Sequence, residues 1–204
     1  MDPHAPHVPT LPRRRMVLAI ALCAAPGTAR VHARAAASPL PPIEGIAIGV
    51  HDGDSFVLHA GDGRRLRVRI AGIDAPERQQ PFSEHARRRL GELLRDRPLR
   101  IEPIKQDVYG RTIARVTLLD GAVPGRDAGL AMLESGSAWH FERYRADQSA
   151  DEFARYAEAQ RRARLQSAGL WREASPEPPW AFRSRMRRHE AAPPRRSPPP
   201  PPAG

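Results

Sequence analysis

A single cysteine, Cys23, and a single lysine, Lys105, occur in the 204 residues of the chain. The cysteine lies in an apolar stretch near the N-terminus. Disulfides therefore contribute nothing to the fold, and loss of that stretch would leave no thiol nucleophile. No set of histidines and cysteines has the spacing of a zinc site, which argues against a soft metal. Long hydrophobic runs are missing too. The stretch Met16 to Ala25 offers ten residues, where a bilayer span needs about 20.

Almost all the positive charge is arginine, and most of it is terminal. Lys+Arg number 33 against 23 Asp+Glu. Five arginines and one acid precede residue 36, and residues 187–204 carry four arginines and Glu190, so the chain between is only mildly basic. A basic balance favours polyanionic partners but is silent on fold. The N-terminal layout is more specific. Arg13-Arg14-Arg15 precede the apolar run, and the small-residue sites Ala33-Arg34-Ala35 and Ala36-Ala37-Ser38 follow it, as in a secretory signal peptide. Residues 1–35 are expected to be that signal, with cleavage between about residues 33 and 38. The paired arginines leave the twin-arginine route open. Leu22 stands where a lipoprotein site needs a small residue. Residues 36–42 read as a linker. Residues 183–204, in which composition turns to Arg and Pro from about residue 187, read as a disordered tail.

Between these ends lies one region, 43–182, without internal repeats. β-like runs at 45–50 and 56–58 are separated by turns from a third, in which Leu66, Val68 and Ile70 alternate with Arg65, Arg67 and Arg69. That period of two marks a half-buried strand. Runs at 98–104 and 112–119 flank a turn at Asp107–Gly110. Ser83 is placed to cap a helix whose Ala86, Leu90, Leu93 and Leu94 share one face. A second helix is expected over 127–135, closed by Gly136. A third starts at the capping box Ser149-Ala150-Asp151-Glu152 and should stop at Gly169. The fold class is α+β, mainly β: a five-stranded OB-type barrel with about three helices.

Two groups of residues carry possible chemistry. Asp52 and Asp54 flank a glycine, and Asp74 and Glu77 sit in Asp74-Ala75-Pro76-Glu77 after the alternating strand. Two carboxylates and a backbone carbonyl could hold a hard cation if water or phosphate completes the shell. Each fragment alone is also ordinary turn chemistry. Arg69 should point away from Val68 and Ile70. Asp74, five residues on, would face the other way unless Gly72 bends the chain. Arg69 and Arg111 could grip phosphate with their guanidinium forks, or be solvated strand arginines.

The ordered set Asp52-Gly53-Asp54-Ser55, Arg69, Asp74-Ala75-Pro76-Glu77 and Asp107-Val108-Tyr109-Gly110-Arg111 resembles the staphylococcal nuclease (thermonuclease-like) family. The likeness continues through Glu134-Ser135-Gly136-Ser137-Ala138-Trp139 to Gly169-Leu170-Trp171, and covers roughly residues 43–182. It implies an OB-fold endonuclease that uses Ca²⁺ to hydrolyse DNA and RNA. By the resemblance Asp54 and Asp74 are metal carboxylates, the Ala75 carbonyl is a further ligand and Asp52 lies in the outer shell. Glu77 orients or deprotonates the attacking water, and Arg69 and Arg111 bind phosphate and stabilise developing charge. Tyr109, Trp139 and Phe141 fall where the family meets base or sugar, although barrel or helix packing would also account for them. Three departures are visible: Ser55 for the usual threonine, Ala75 for the founding member's threonine, and Val108 for its lysine. The expected protein is an exported, secreted or periplasmic monomer with DNA and RNA as substrates, no stable protein partner and no membrane span in its mature form. Two rivals are a catalytically inactive OB-fold module that binds nucleic acid in the bacterial envelope, and an interaction protein working through its Arg/Pro tail.

Overall fold

A computed structural model of the chain describes residues 40–121 and 125–191. The signal segment and residues 192–204 of the expected tail lie outside the described residues. Strand β1 (Ile43–Val50) pairs antiparallel with β2 (Ser55–Ala60), and β2 with β3 (Arg65–Ile70). The two-residue β4 (Ile73–Asp74) and helix α1 (Ser83–Leu94) follow, then β5 (Pro98–Gln106), which lies beside β1, and β6 (Thr112–Leu118). The barrel closes where β6 meets β3 in parallel, with Val68 opposite Thr112, Arg69 opposite Ile113 and Ile70 opposite Ala114. Five strands thus form a closed barrel. Short β7 (Arg126–Asp127) extends it at β6, and helix α2 (Ala128–Glu134) follows. The two-residue β8 (Trp139–His140) pairs with β4, and α3 (Ala150–Leu165) and α4 (Pro179–Ala191) complete the described residues.

Alternation sends Phe56, Leu58, Val68, Ile70, Leu99, Ile101, Val116 and Leu118 into one core, all essentially without solvent contact. The expected face of α1, Ala86, Leu90, Leu93 and Leu94, plugs it. A smaller apolar cluster gathers Trp139, Ala163, Leu170 and Trp171, with Phe82 and Trp180 against it.

Three expectations need correction. Ser83 does not cap α1. The cap position is Phe82 in the left-handed region (φ 64), and the Ser83 hydroxyl donates to the Arg78 carbonyl at 3.0 Å. The chain enters this helix from a tight turn, in which the Gln80 amide donates to the Glu77 carbonyl at 2.7 Å. Gly169 is not the stop of α3. That helix ends at Leu165, and Gly169 meets the backbone of Gly136, where an added Cβ would lie 2.2 Å from the Gly136 oxygen. The tail does not begin at 183. Residues 179–191 are helical, with Trp180 packed against the Trp139–Trp171 cluster and Phe182 buried, so α4 docks before the proline-rich composition begins. The Ser149 cap of α3 is as expected, accepting from the Glu152 amide, and α2 is capped by Asp127, which accepts from the Leu130 amide.

Candidate active site

The Asp52–Asp54 turn shows how both readings of these acids hold at once. Asp52 Oδ1 accepts from the Asp54 amide at 3.1 Å and from the Ser55 hydroxyl at 2.7 Å, so Asp52 builds the turn. Serine thus keeps the one group this contact needs. Gly53 has no room for a side chain, since a Cβ would lie 2.6 Å from that of Ala86 and 2.7 Å from that of Ala75. The turn is thereby pressed against α1 and the Ala75 segment. Asp54, the other carboxylate, accepts from the Ala75 amide at 3.1 Å through Oδ2.

Gly72 supplies the bend that Arg69 and Asp74 require. Its φ of 73° suits glycine, and a Cβ there would also collide with Gln148. After this reversal β4 is held by β8, with Asp74 opposite Trp139. Arg69 Nη2 then donates to Asp74 Oδ1 at 2.8 Å and lies 3.2 Å from Asp54 Oδ2, while Nη1 donates to the Ile73 carbonyl at 3.2 Å. Two buried carboxylates converge on one guanidinium nitrogen. Burial pushes the Asp54 carboxyl up to about 7; Arg69 opposes this shift, and Asp52 and Asp74 add to it. Burial alone would lower the Arg69 pKa, but Asp54 and Asp74 hold it above its usual value.

Glu77 lies three residues past Asp74 and meets a residue that the motifs did not reveal. Arg183, on α4, donates from Nη1 to Glu77 Oε1 at 2.6 Å and to Asp74 Oδ1 at 3.2 Å, and from Nη2 to Asp74 Oδ2 at 2.8 Å. These carboxylates raise its pKa further, against the effect of burial. Gln80 links the same two segments: Oε1 accepts from the Glu77 amide at 2.9 Å, and Nε2 donates to the Glu177 carbonyl at 3.0 Å. Arg183 follows Glu77 by 106 residues, so no local spacing could pair them. The available signal was the apolar pair Trp180 and Phe182, which marks the preceding turn as docked.

Arg111 is positioned by the loop before β6. Asp107 Oδ1 accepts from the amides of Tyr109 and Arg111, each at 2.9 Å, and Oδ2 accepts from Arg111 Nε at 2.7 Å. Burial would raise the Asp107 pKa, but the bonds from Arg111 and Tyr109 lower it. Arg67, on the face that also carries Arg69, donates to the Tyr109 carbonyl from across the barrel seam. Tyr109 is 69% exposed and lies under the Arg111 guanidinium, 5.6 Å from carbon to ring centre. Trp139 and Phe141 are buried instead. Trp139 packs edge-on against Trp171 at 4.4 Å and Trp180 at 5.6 Å, and Phe141 tilts against Trp180 at 5.5 Å. Tyr144, which no sequence motif marks, is more open than these two at 44% exposure.

All ten residues singled out from sequence line a single cavity of about 1040 Å³: Asp52, Asp54, Arg69, Asp74, Ala75, Glu77, Tyr109, Arg111, Trp139 and Phe141. Its floor is acidic and its rim holds Lys105, Arg143, Arg164 and Arg187. Among the described residues no three side chains of His, Cys, Asp or Glu form a closed metal cage. The donors at the floor are oxygens, and Asp54 and Asp74 share one approach, which fits an open site for a hard cation.

Residues 67–173 match the family described as staphylococcal nuclease homologue. The chain belongs to the staphylococcal nuclease family. An uncharacterized endonuclease of Escherichia coli is 31% identical over 144 residues, covering 70% of this chain and 86% of the relative. A micrococcal nuclease of Shigella flexneri is likewise 31% identical over 144 residues, or 68% of this chain and 79% of its own length. A staphylococcal-like nuclease of Arabidopsis thaliana is 31% identical over 124 residues, 61% of this chain but 35% of the plant protein. The chain is thus a nuclease of the staphylococcal family, with its phosphodiesterase machinery on a five-stranded barrel. In the family frame Arg183 lies beyond the matched region.

Proposed function

We propose that this member of the staphylococcal nuclease family is an exported, Ca²⁺-dependent endonuclease that hydrolyses DNA and RNA. The observation that carries the reading is the convergence of Asp54 and Asp74 on Arg69, with Glu77 beside them and Arg111 across the same cavity. An inactive binding module would have no need to bury two carboxylates together, since burying charge is costly unless it is put to use.

Asp54, Asp74 and the Ala75 carbonyl would hold the cation, with Asp52 fixing the turn that carries Asp54. When bound, Ca²⁺ would supply positive charge to the scissile phosphate and lower the cost of bringing a nucleophile to it. Glu77 orients the attacking water and takes its proton. Arg69 and Arg111 hold the non-bridging phosphate oxygens and stabilise charge as phosphorus becomes five-coordinate. Tyr109, exposed and backed by Arg111, offers a stacking face for base or sugar. Such stacking is tolerant of sequence, in keeping with both DNA and RNA as substrates.

A nuclease assay with Ca²⁺, with Mg²⁺ and with EDTA tests the cation. Activity is expected with Ca²⁺ and lost in EDTA, and undiminished cleavage in EDTA would refute the assignment. Export rests on the basic and apolar layout of residues 1–35 and is read by mass spectrometry of the secreted protein. A mature N-terminus between about residues 33 and 38 is expected, and a cytosolic chain retaining Met1 would contradict it. No helix among the described residues is long and apolar enough to cross a membrane.

A further inference from the structure

We propose that Arg183 is an internal competitor for the cation, so that α4 sets how much Ca²⁺ the site needs. The inference rests on the cation reading above, and goes beyond it by giving a role to a helix outside the family-matched residues 67–173. Both oxygens of Asp74 are occupied: Oδ1 by Arg69 and Arg183, and Oδ2 by Arg183 alone at 2.8 Å. The same guanidinium takes Glu77 Oε1 at 2.6 Å. Arg69 belongs to the barrel wall and leaves Asp74 Oδ2 untouched. Arg183 therefore covers both the cation ligand and the residue that handles the water.

Its placement is built rather than incidental. Trp180 seats α4 against Trp139, the strand partner of Asp74, and against Phe141. Gln80 ties the Glu77 amide to the carbonyl of Glu177, just before the helix. Neither anchor involves the Arg183 side chain, which is 34% exposed. A cation at Asp74 and the Arg183 guanidinium are like charges drawn to the same carboxylate, so each weakens the other's hold by the same factor. A site covered nine parts in ten loses about tenfold in apparent affinity, because only the uncovered fraction binds.

Calorimetric titration of the purified full chain with CaCl₂, without nucleic acid, tests this. Arg183→Ala and Arg183→Gln should each bind Ca²⁺ about tenfold more tightly than wild type, and Arg188→Ala, an exposed arginine of the same helix, should match wild type. Glutamine keeps most of the side chain, so agreement between the two variants separates lost charge from lost packing. Equal affinity in wild type and both Arg183 variants would overturn the competition and leave the cation site standing. Weaker binding in the variants would also overturn it, and would make Arg183 a support of the site. Absence of Ca²⁺ binding in every protein would defeat the cation reading itself, and the competition with it.

Discussion

Asp54 has the least room to remain ionised. Its carboxyl titrates near 7, against an ordinary 3.8, because it is buried among other acids. Between those values the folded protein holds a proton that the unfolded chain has released. Stability from this group is therefore full below about pH 4, and falls as pH rises to about 7. In EDTA the wild-type protein should melt at least about 2 °C lower at pH 8 than at pH 5, the shift that one kcal/mol gives a domain of this size. Asp54→Asn should reduce that difference, and an unchanged difference would show that the burden lies elsewhere. Glu77 is the second residue with a sharp expectation. If it takes the proton of the attacking water, Glu77→Ala lowers kcat by about 10²-fold or more with little change in KM. Arg65→Ala, an exposed strand arginine, serves as the control. Near wild-type turnover of a folded Glu77→Ala protein would remove Glu77 from the reaction.

Among the elements, the 107–111 loop concentrates the most dependence in the fewest atoms. One carboxylate, Asp107, takes two amides and the Arg111 side chain, and Arg67 secures the Tyr109 carbonyl from β3. Asp107→Ala should lower kcat/KM by at least about tenfold with a small change in melting temperature, since it misplaces the arginine proposed to bind phosphate without opening the core. Arg67→Ala should produce a milder loss of the same kind. Steady-state kinetics beside a thermal melt would separate either effect from unfolding. This loop also shows what a sequence can disclose. The order of the motifs, the alternation at 65–70 and the bend at Gly72 were legible because each is a local backbone requirement. The contact of Arg67 was not legible, because nothing in its strand tells of a carbonyl 42 residues away. The packing role of Trp139, named but left open between two readings, and the whole of Arg183 were hidden for the same reason. Whether Trp139 faces a base or another tryptophan depends on Trp171 and Trp180, and Arg183 reaches Glu77 only through tertiary docking.

For the whole molecule, the parallel seam between β3 and β6 is the decisive contact. It sets Arg69 opposite Ile113 and Arg111 at the head of β6, so closing the barrel and placing the two arginines are one event. Loss of activity and loss of backbone circular dichroism should therefore share a midpoint in urea. Activity that vanished well before the strands would show that the site opens separately. The seam has another consequence, in time. Ile70 ends β3 and Thr112 begins β6, so the ribosome releases Asp54, Arg69, Asp74 and Glu77 well before Arg111. A partly synthesised chain holds the acids without the closure that aligns them.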